Sequence, residues 1–300
     1  MSVAEVLIDV LAPVALLVVL GAASGRRLGI EVSTLSRFSF AVLGPAFVFS
    51  ILADAELDGT VVVRLVLAGL AGMAGAVVVV LAWARAIGAS YEAAAASTMT
   101  AAYGNVGNAG LAIVAFGLGD DALPIASVLM LTINITGLVL GVGLAEGRTR
   151  SPIRAVGRAL SAPMTVAGAA ALVVNVGGLD LPLVLDRSVG LLAGALIPVM
   201  LYTLGLQLVL TGRPTWGADV GVVVATKLVL VPVVAGLVAR ALGLEGDALD
   251  AVIIQSAMPP AVFCAVVAIE YDFVPDRVTA AVVAGTLASA VTLPIVLLVV

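Results

Sequence analysis

Of the chain's 300 residues, 62% are hydrophobic and only 11% are charged, too little polar surface to clothe a soluble domain of this size, so the lipid bilayer is the expected solvent. A formal net charge of −5, with no long basic block, argues against nucleic acid as a partner. The lone cysteine, Cys264, excludes an intrachain disulfide, and the absence of histidine removes the usual proton relay and transition-metal ligand.

A spanning helix needs about 20 apolar residues, and ten such runs follow one another at 3–24, 34–53, 61–83, 91–117, 122–145, 160–178, 187–210, 217–239, 248–269 and 277–299. The first carries Glu5 and Asp9 rather than a basic leader, which suits a spanning helix better than a cleavable signal. Breaks fall at polar or glycine-rich points such as Gly25-Arg26-Arg27, Ala53-Asp54-Ala55-Glu56 and Gly119-Asp120-Asp121. The longest polar connection, Glu146 to Arg158, separates a first five-helix repeat, 1–146, from a second, 159–300, through a linker at 147–158.

The halves resemble each other. At an offset of 150, Ala12-Pro13 recurs as Ala162-Pro163 and Leu35-Ser36-Arg37 as Leu185-Asp186-Arg187. At 155, Ala84-Arg85-Ala86-Ile87-Gly88 recurs as Ala239-Arg240-Ala241-Leu242-Gly243, and Asp121 falls on Asp276. Five spans per half is an odd number, so the second half enters the membrane upside down: the expected fold is all-α, with ten transmembrane helices in a 5+5 inverted repeat. With the N-terminus outside, inner ends carry Arg26, Arg27, Arg37, Arg85, Arg148, Arg150, Arg154, Arg158, Arg213 and Arg277, and outer ends only Arg64, Arg187 and Arg240. The positive-inside rule therefore places both termini outside a cell membrane and the linker in the cytoplasm. Thirteen arginines against one lysine point to a GC-rich, prokaryotic genome.

Inverted-repeat carriers bind substrate near the midplane, where repeat-related helices are broken and freed backbone groups face a cavity. Span four contains Tyr103-Gly104-Asn105-Val106-Gly107-Asn108-Ala109-Gly110, and the 155 offset carries Gly104-Asn105 onto Pro259-Pro260 of span nine. Glycine loosens a helix and proline removes an N–H, so helices four and nine are expected to be broken and to cross. Gly104, Gly107, Asn105 and Asn108 are candidate site residues with Pro259 and Pro260; the plainer alternative is a small-residue packing stripe with asparagines as interhelical glue. Gln255, Thr132 and Asn134 carry the same two readings, and Pro45 and Pro198 read as kinks. Lys227, the sole lysine, lies about 15 Å from either surface, too deep to snorkel. Three roles fit it: counter-charge for an anionic substrate, internal substitute for a coupling cation, or partner for carbonyls freed at a neighbouring break.

An enzyme reading is weaker. Gly117-Leu118-Gly119-Asp120 and Tyr271-Asp272 match the GxGD and YD patterns of intramembrane aspartyl proteases. The topology separates the two carboxyl groups by about 30 Å, whereas a catalytic pair must share a proton.

Taken together, Gly104-Asn105 with Gly110 five residues on, Pro198 to Leu208 (PVMLYTLGLQL), Lys227-Leu228 to Pro232 and Ala257-Met258-Pro259 to Tyr271 resemble the auxin efflux carrier family, which includes plant auxin exporters and bacterial malate or malonate permeases. The likeness covers nearly the whole chain. It implies a fold similar to that of the bile acid:sodium symporters, with spans one, two, six and seven as a scaffold, the other six as a mobile core, and a homodimer through scaffold helices. It also implies that Asn105 contacts a substrate carboxylate and that Pro259 is a crossover proline. Many members carry a proline seven residues after that asparagine, where this chain has Ala112.

The resulting expectation is a secondary transporter or uniporter of small organic anions, malate-like or auxin-like, working by an elevator movement. It needs no cofactor and no resident metal; coupling to Na⁺ or H⁺ is left open. The alternatives are a sodium-coupled symporter whose Asn, Gln and Thr oxygens hold the ion, and a non-transporting membrane sensor or assembly subunit.

Overall fold

The computed structural model describes residues 2–146, 152–210, 215–270 and 273–300. Arg148, Arg150, Arg213, the first part of the linker (147–151) and Tyr271-Asp272 lie outside the described residues, so the arginine bias and the protease pair are only partly represented.

Among the described residues the structure is helical apart from one isolated β-bridge. In chain order the helices are α1 (Val3–Gly25), α2 (Val32–Ala53) and α3 (Gly59–Ala86), then α4 (Tyr91–Ala102) and α5 (Val106–Leu118). Next come α6 (Leu123–Glu146), α7 (Pro152–Leu160), α8 (Pro163–Gly177) and α9 (Leu183–Leu210). The last are α10 (Ala218–Ala241), α11 (Gly246–Ser256), α12 (Val262–Glu270) and α13 (Pro275–Val299). Seven helices among the described residues are long and apolar enough to cross a membrane unaided. Ten runs were expected; the fourth is divided into α4 and α5, the ninth into α11 and α12, and the sixth is the 15-residue α8. The linker's second part is not a loop but the start of α7.

Local chemistry sets the boundaries. Asp58 and Ser90 accept main-chain N–H bonds at the starts of α3 and α4. Past α8, Gly178 takes a left-handed conformation (φ 57°) that a side chain would resist. Three prolines inside spans share a signature that Pro198 and Pro294 lack: Pro13, Pro45 and Pro232 each stand two residues beyond a π-helical turn, Val6–Leu11, Ser39–Leu43 and Thr226–Leu230. Widening the preceding turn accommodates a ring that has no N–H and would otherwise strike the carbonyl four residues back. A fourth π-turn, Val106–Gly110, has the same register but is followed by Ala112, so glycine freedom at Gly107 and Gly110 suffices there.

Lipid tails are as apolar as leucine, so helices in a bilayer associate by close packing and hydrogen bonds rather than by hydrophobic burial. One group of helices joins α1 to α9, α2 to α8, and α9 to α2. Gly21 faces the Tyr202 carbonyl and Gly205 the Val18 carbonyl, each too close to admit a Cβ, while the Ser24 and Tyr202 hydroxyls meet at 2.8 Å. Asn175 of α8 donates to the carbonyls of Ala53 and Ala55, both at 2.9 Å, closing the end of α2. The other group packs α3 on α10, α4 and α6, α11 on α10, and α13 on α10 and α12. Between α3 and α10 the close approach is at Gly72: a Cβ on it would lie 3.1 Å from the Ala235 Cβ and the Val231 carbonyl.

Candidate functional site: two broken helices and a cleft

The chain leaves helical geometry between α4 and α5 and again between α11 and α12. Both gaps are buried, so the carbonyls and N–H groups they free cannot turn to water. They find each other. The Asn105 N–H donates to the Pro259 carbonyl at 2.8 Å, and the Ala261 N–H to the Tyr103 carbonyl at 2.9 Å. These bonds bracket an antiparallel bridge between Gly104 and Pro260. Pro260 lacks an N–H and Gly104 lacks a side chain, and each lack serves the pairing. Close approach requires Gly104 in particular, because a Cβ there would come within 2.9 Å of Lys227 Cε and 3.0 Å of its Nζ.

Lys227 is 1% exposed and sits in the π-turn of α10. Its ammonium donates to the Ser256 carbonyl at 2.7 Å, at the C-terminal end of α11. The structure gives it no carboxylate partner among the described residues.

The other sequence candidates separate into two environments. Asn105 is 5% exposed and its carboxamide makes no hydrogen bond among the described residues; Asn108 is half-buried in the π-turn that opens α5. Gly107, in the same turn, faces Met200 of α9 and Met130 of α6. Gln255 is fully buried, with Nε2 3.4 Å from the Ala126 carbonyl and Oε1 pressed against Gly110 without a hydrogen-bond partner. Thr132 returns its hydroxyl to the Val128 carbonyl of its own helix at 2.8 Å and lays its methyl beside Gly69. Gln255 and Thr132 thus pack helices together rather than line open space.

Open space lies elsewhere, beside Tyr103. A cleft of about 100 Å³ runs between the two helix groups, bounded by Phe40 of α2, Tyr103, Asn134 of α6, Met164 and Thr165 of α8, and Phe263 of α12. Tyr103 lies flat on Gly137, donates its hydroxyl to Asn134 Oδ1 at 2.9 Å, and meets Phe263 edge to face with ring centroids 5.9 Å apart. That bond fixes the Asn134 amide and leaves its Nδ2 group free to donate. Of the residues expected at the site, Asn134 alone lines the cleft. Tyr103, Phe40 and Phe263 were missed; Tyr103 precedes the Gly104-Asn105 break directly, but nothing in the sequence shows which way an aromatic ring turns.

Comparison with known proteins finds transporters. Residues 148–297 match the family described as membrane transport protein. An uncharacterized transporter of Methanothermobacter thermautotrophicus is 28% identical over 88% of this chain and 88% of its own length. A putative malonate transporter of Rhizobium meliloti is 31% identical over 64% of this chain and 62% of its own. Auxin efflux carrier component 1 of Arabidopsis thaliana is 31% identical over 40% of this chain and 19% of its own.

Proposed function

The chain belongs to the membrane transport protein family, that of the auxin efflux carriers, and from that premise we propose that it is a secondary transporter of small organic anions working by an elevator movement. The family consists of transporters, which sets aside the protease reading.

The observation that carries the proposal is the pairing of two helix breaks beside a cleft bounded by both helix groups. In this reading the chain forms ten membrane crossings in an inverted 5+5 repeat, the fourth and ninth broken and crossing each other. The breaks support it, since they occur at positions 155 residues apart, Gly104 and Pro259. The packing supports a division of labour too. Helices α1, α2, α8 and α9 correspond to spans one, two, six and seven and form the scaffold; α3 to α6 and α10 to α13 form a core that slides along it. Both termini face outward, and the cleft opens toward the linker side, since Ala159 and Ala162 border it.

The half-helices α5 and α12 both begin at the crossing, and the freed N–H groups and positive dipole ends of such termini favour an anion. A carboxylate would accept from Asn134 Nδ2, with the rest of the substrate against Phe40, Tyr103 and Phe263. Relatives named for malonate and for auxin are consistent with a carboxylate of this size class.

The test is uptake of radiolabelled mono- and dicarboxylates into proteoliposomes. Wild type is expected to transport, and Asn105→Ala and Asn134→Ala to lose at least ten-fold while remaining monodisperse in detergent; unchanged uptake in both variants would refute the site.

A further inference from the structure

Lys227 reaches the C-terminal end of a half-helix. In inverted-repeat carriers of other kinds the C-terminal ends of half-helices and the unwound carbonyls that follow them coordinate the coupling cation, because the last carbonyls of a helix lack intrahelical partners and carry its partial negative charge. Here α11 ends at Ser256 inside the protein. The carbonyls of Ile253 and Ile254 accept from the Ala257 N–H at 2.9 and 3.1 Å, and that of Gln255 from the Met258 N–H at 3.4 Å. Among the described residues the Ser256 carbonyl accepts from Lys227 Nζ alone, at 2.7 Å.

A buried ammonium without a carboxylate is costly unless something else supplies negative potential. The end of α11 supplies it. Placement is set by α10 itself: the Val231 N–H reaches back five residues to the Thr226 carbonyl, just before Pro232, and the widened turn carries Lys227 on its inner side. Gly104 completes the arrangement by leaving room for the Lys227 Cε and Nζ beside the crossing.

We propose that the Lys227 ammonium is a tethered cation, occupying the place of a coupling ion at the α11 terminus, so that the anion is carried without sodium and with one positive charge moving in the core. This rests on the reading that the crossing is the transport site.

Two measurements test it. In proteoliposomes, wild-type uptake is expected to be the same in sodium and in N-methylglucamine media. Lys227→Met is expected to fall at least ten-fold in N-methylglucamine and to recover in part when sodium is added. In detergent, sodium is expected to raise the melting temperature of Lys227→Met by about 3 °C and to leave wild type unmoved. Wild-type uptake that falls when sodium is withdrawn, sodium-free uptake by Lys227→Met at the wild-type rate, or a Lys227→Met melting temperature indifferent to sodium would each overturn it. If wild type moves no carboxylate in either medium, the transport reading fails, and the melting measurement still decides the cation site.

Discussion

The main-chain N–H of Asn105 donates to the carbonyl of Pro259, 2.8 Å away, so that the interruption of one membrane helix is held by the interruption of another. With the reciprocal bond from Ala261 to Tyr103, backbone groups that neither helix could satisfy alone are paired inside the protein. The helix ends that flank the two breaks are thereby tied to one another.

Gly110 is where that unit has least slack. Gln255 Oε1 and Met258 Cγ occupy the space a side chain would need, with the methionine carbon 3.2 Å from the position of a Cβ. Gly110→Ala is expected to destabilise the folded protein by about 1–3 kcal/mol. The check is thermal unfolding in detergent, and the double variant Gly110→Ala/Gln255→Ala should recover most of the loss. A single variant as stable as wild type would show that Gln255 yields freely.

Tyr103 is expected to act on substrate through Asn134. Tyr103→Phe keeps the ring on Gly137 and against Phe263 but removes the bond to Asn134 Oδ1. Stability should fall by about 1 kcal/mol. The amide, freed to rotate, should bind carboxylate less well, raising the half-saturating concentration several-fold while the maximal rate stays close to wild type. Equal loss in both parameters would place Tyr103 in the movement itself.

Asp58 gives a pH dependence whose sign follows from its contacts. Hydrogen bonds from Thr60, side chain and then main chain, and from the Val61 N–H hold its carboxyl below the ordinary range. A depressed folded-state value stabilises the cap fully above the unfolded value, near 3.9, and the contribution is lost as pH falls through the lower folded value. Amide exchange at Thr60 and Val61, corrected for intrinsic rates, should therefore accelerate below about pH 4. In Asp58→Ala it should already be fast at neutral pH. Protection that survives both changes would mean the start of α3 does not depend on this cap.

Much of the fold was legible because the bilayer imposes a strict grammar. Span lengths, polar connections and the helix breakers at Gly104-Asn105 and Pro259-Pro260 follow from the need to satisfy every backbone group in a medium without water. Hydropathy alone reads α4 with α5, and α11 with α12, as single apolar runs, because it does not register where the backbone bends; the glycines and prolines are what mark the divisions. Where many family members carry a proline, this chain has Ala112, and the π-turn at Val106–Gly110 forms without one.

The sequence by itself determined a membrane-embedded helical transporter and pointed to the two breaks, since hydropathy and the loss of helical hydrogen bonds at glycine and proline are local properties of the chain. Only the tertiary structure decided which polar groups share a space. It set Asn134 with Tyr103 at a cleft, turned Thr132 back on its own helix, packed Gln255 against Gly110, and brought Lys227 to the Ser256 carbonyl 29 residues away. Those choices depend on how helices rotate and cross, and rotation is fixed by long-range packing that no local pattern encodes.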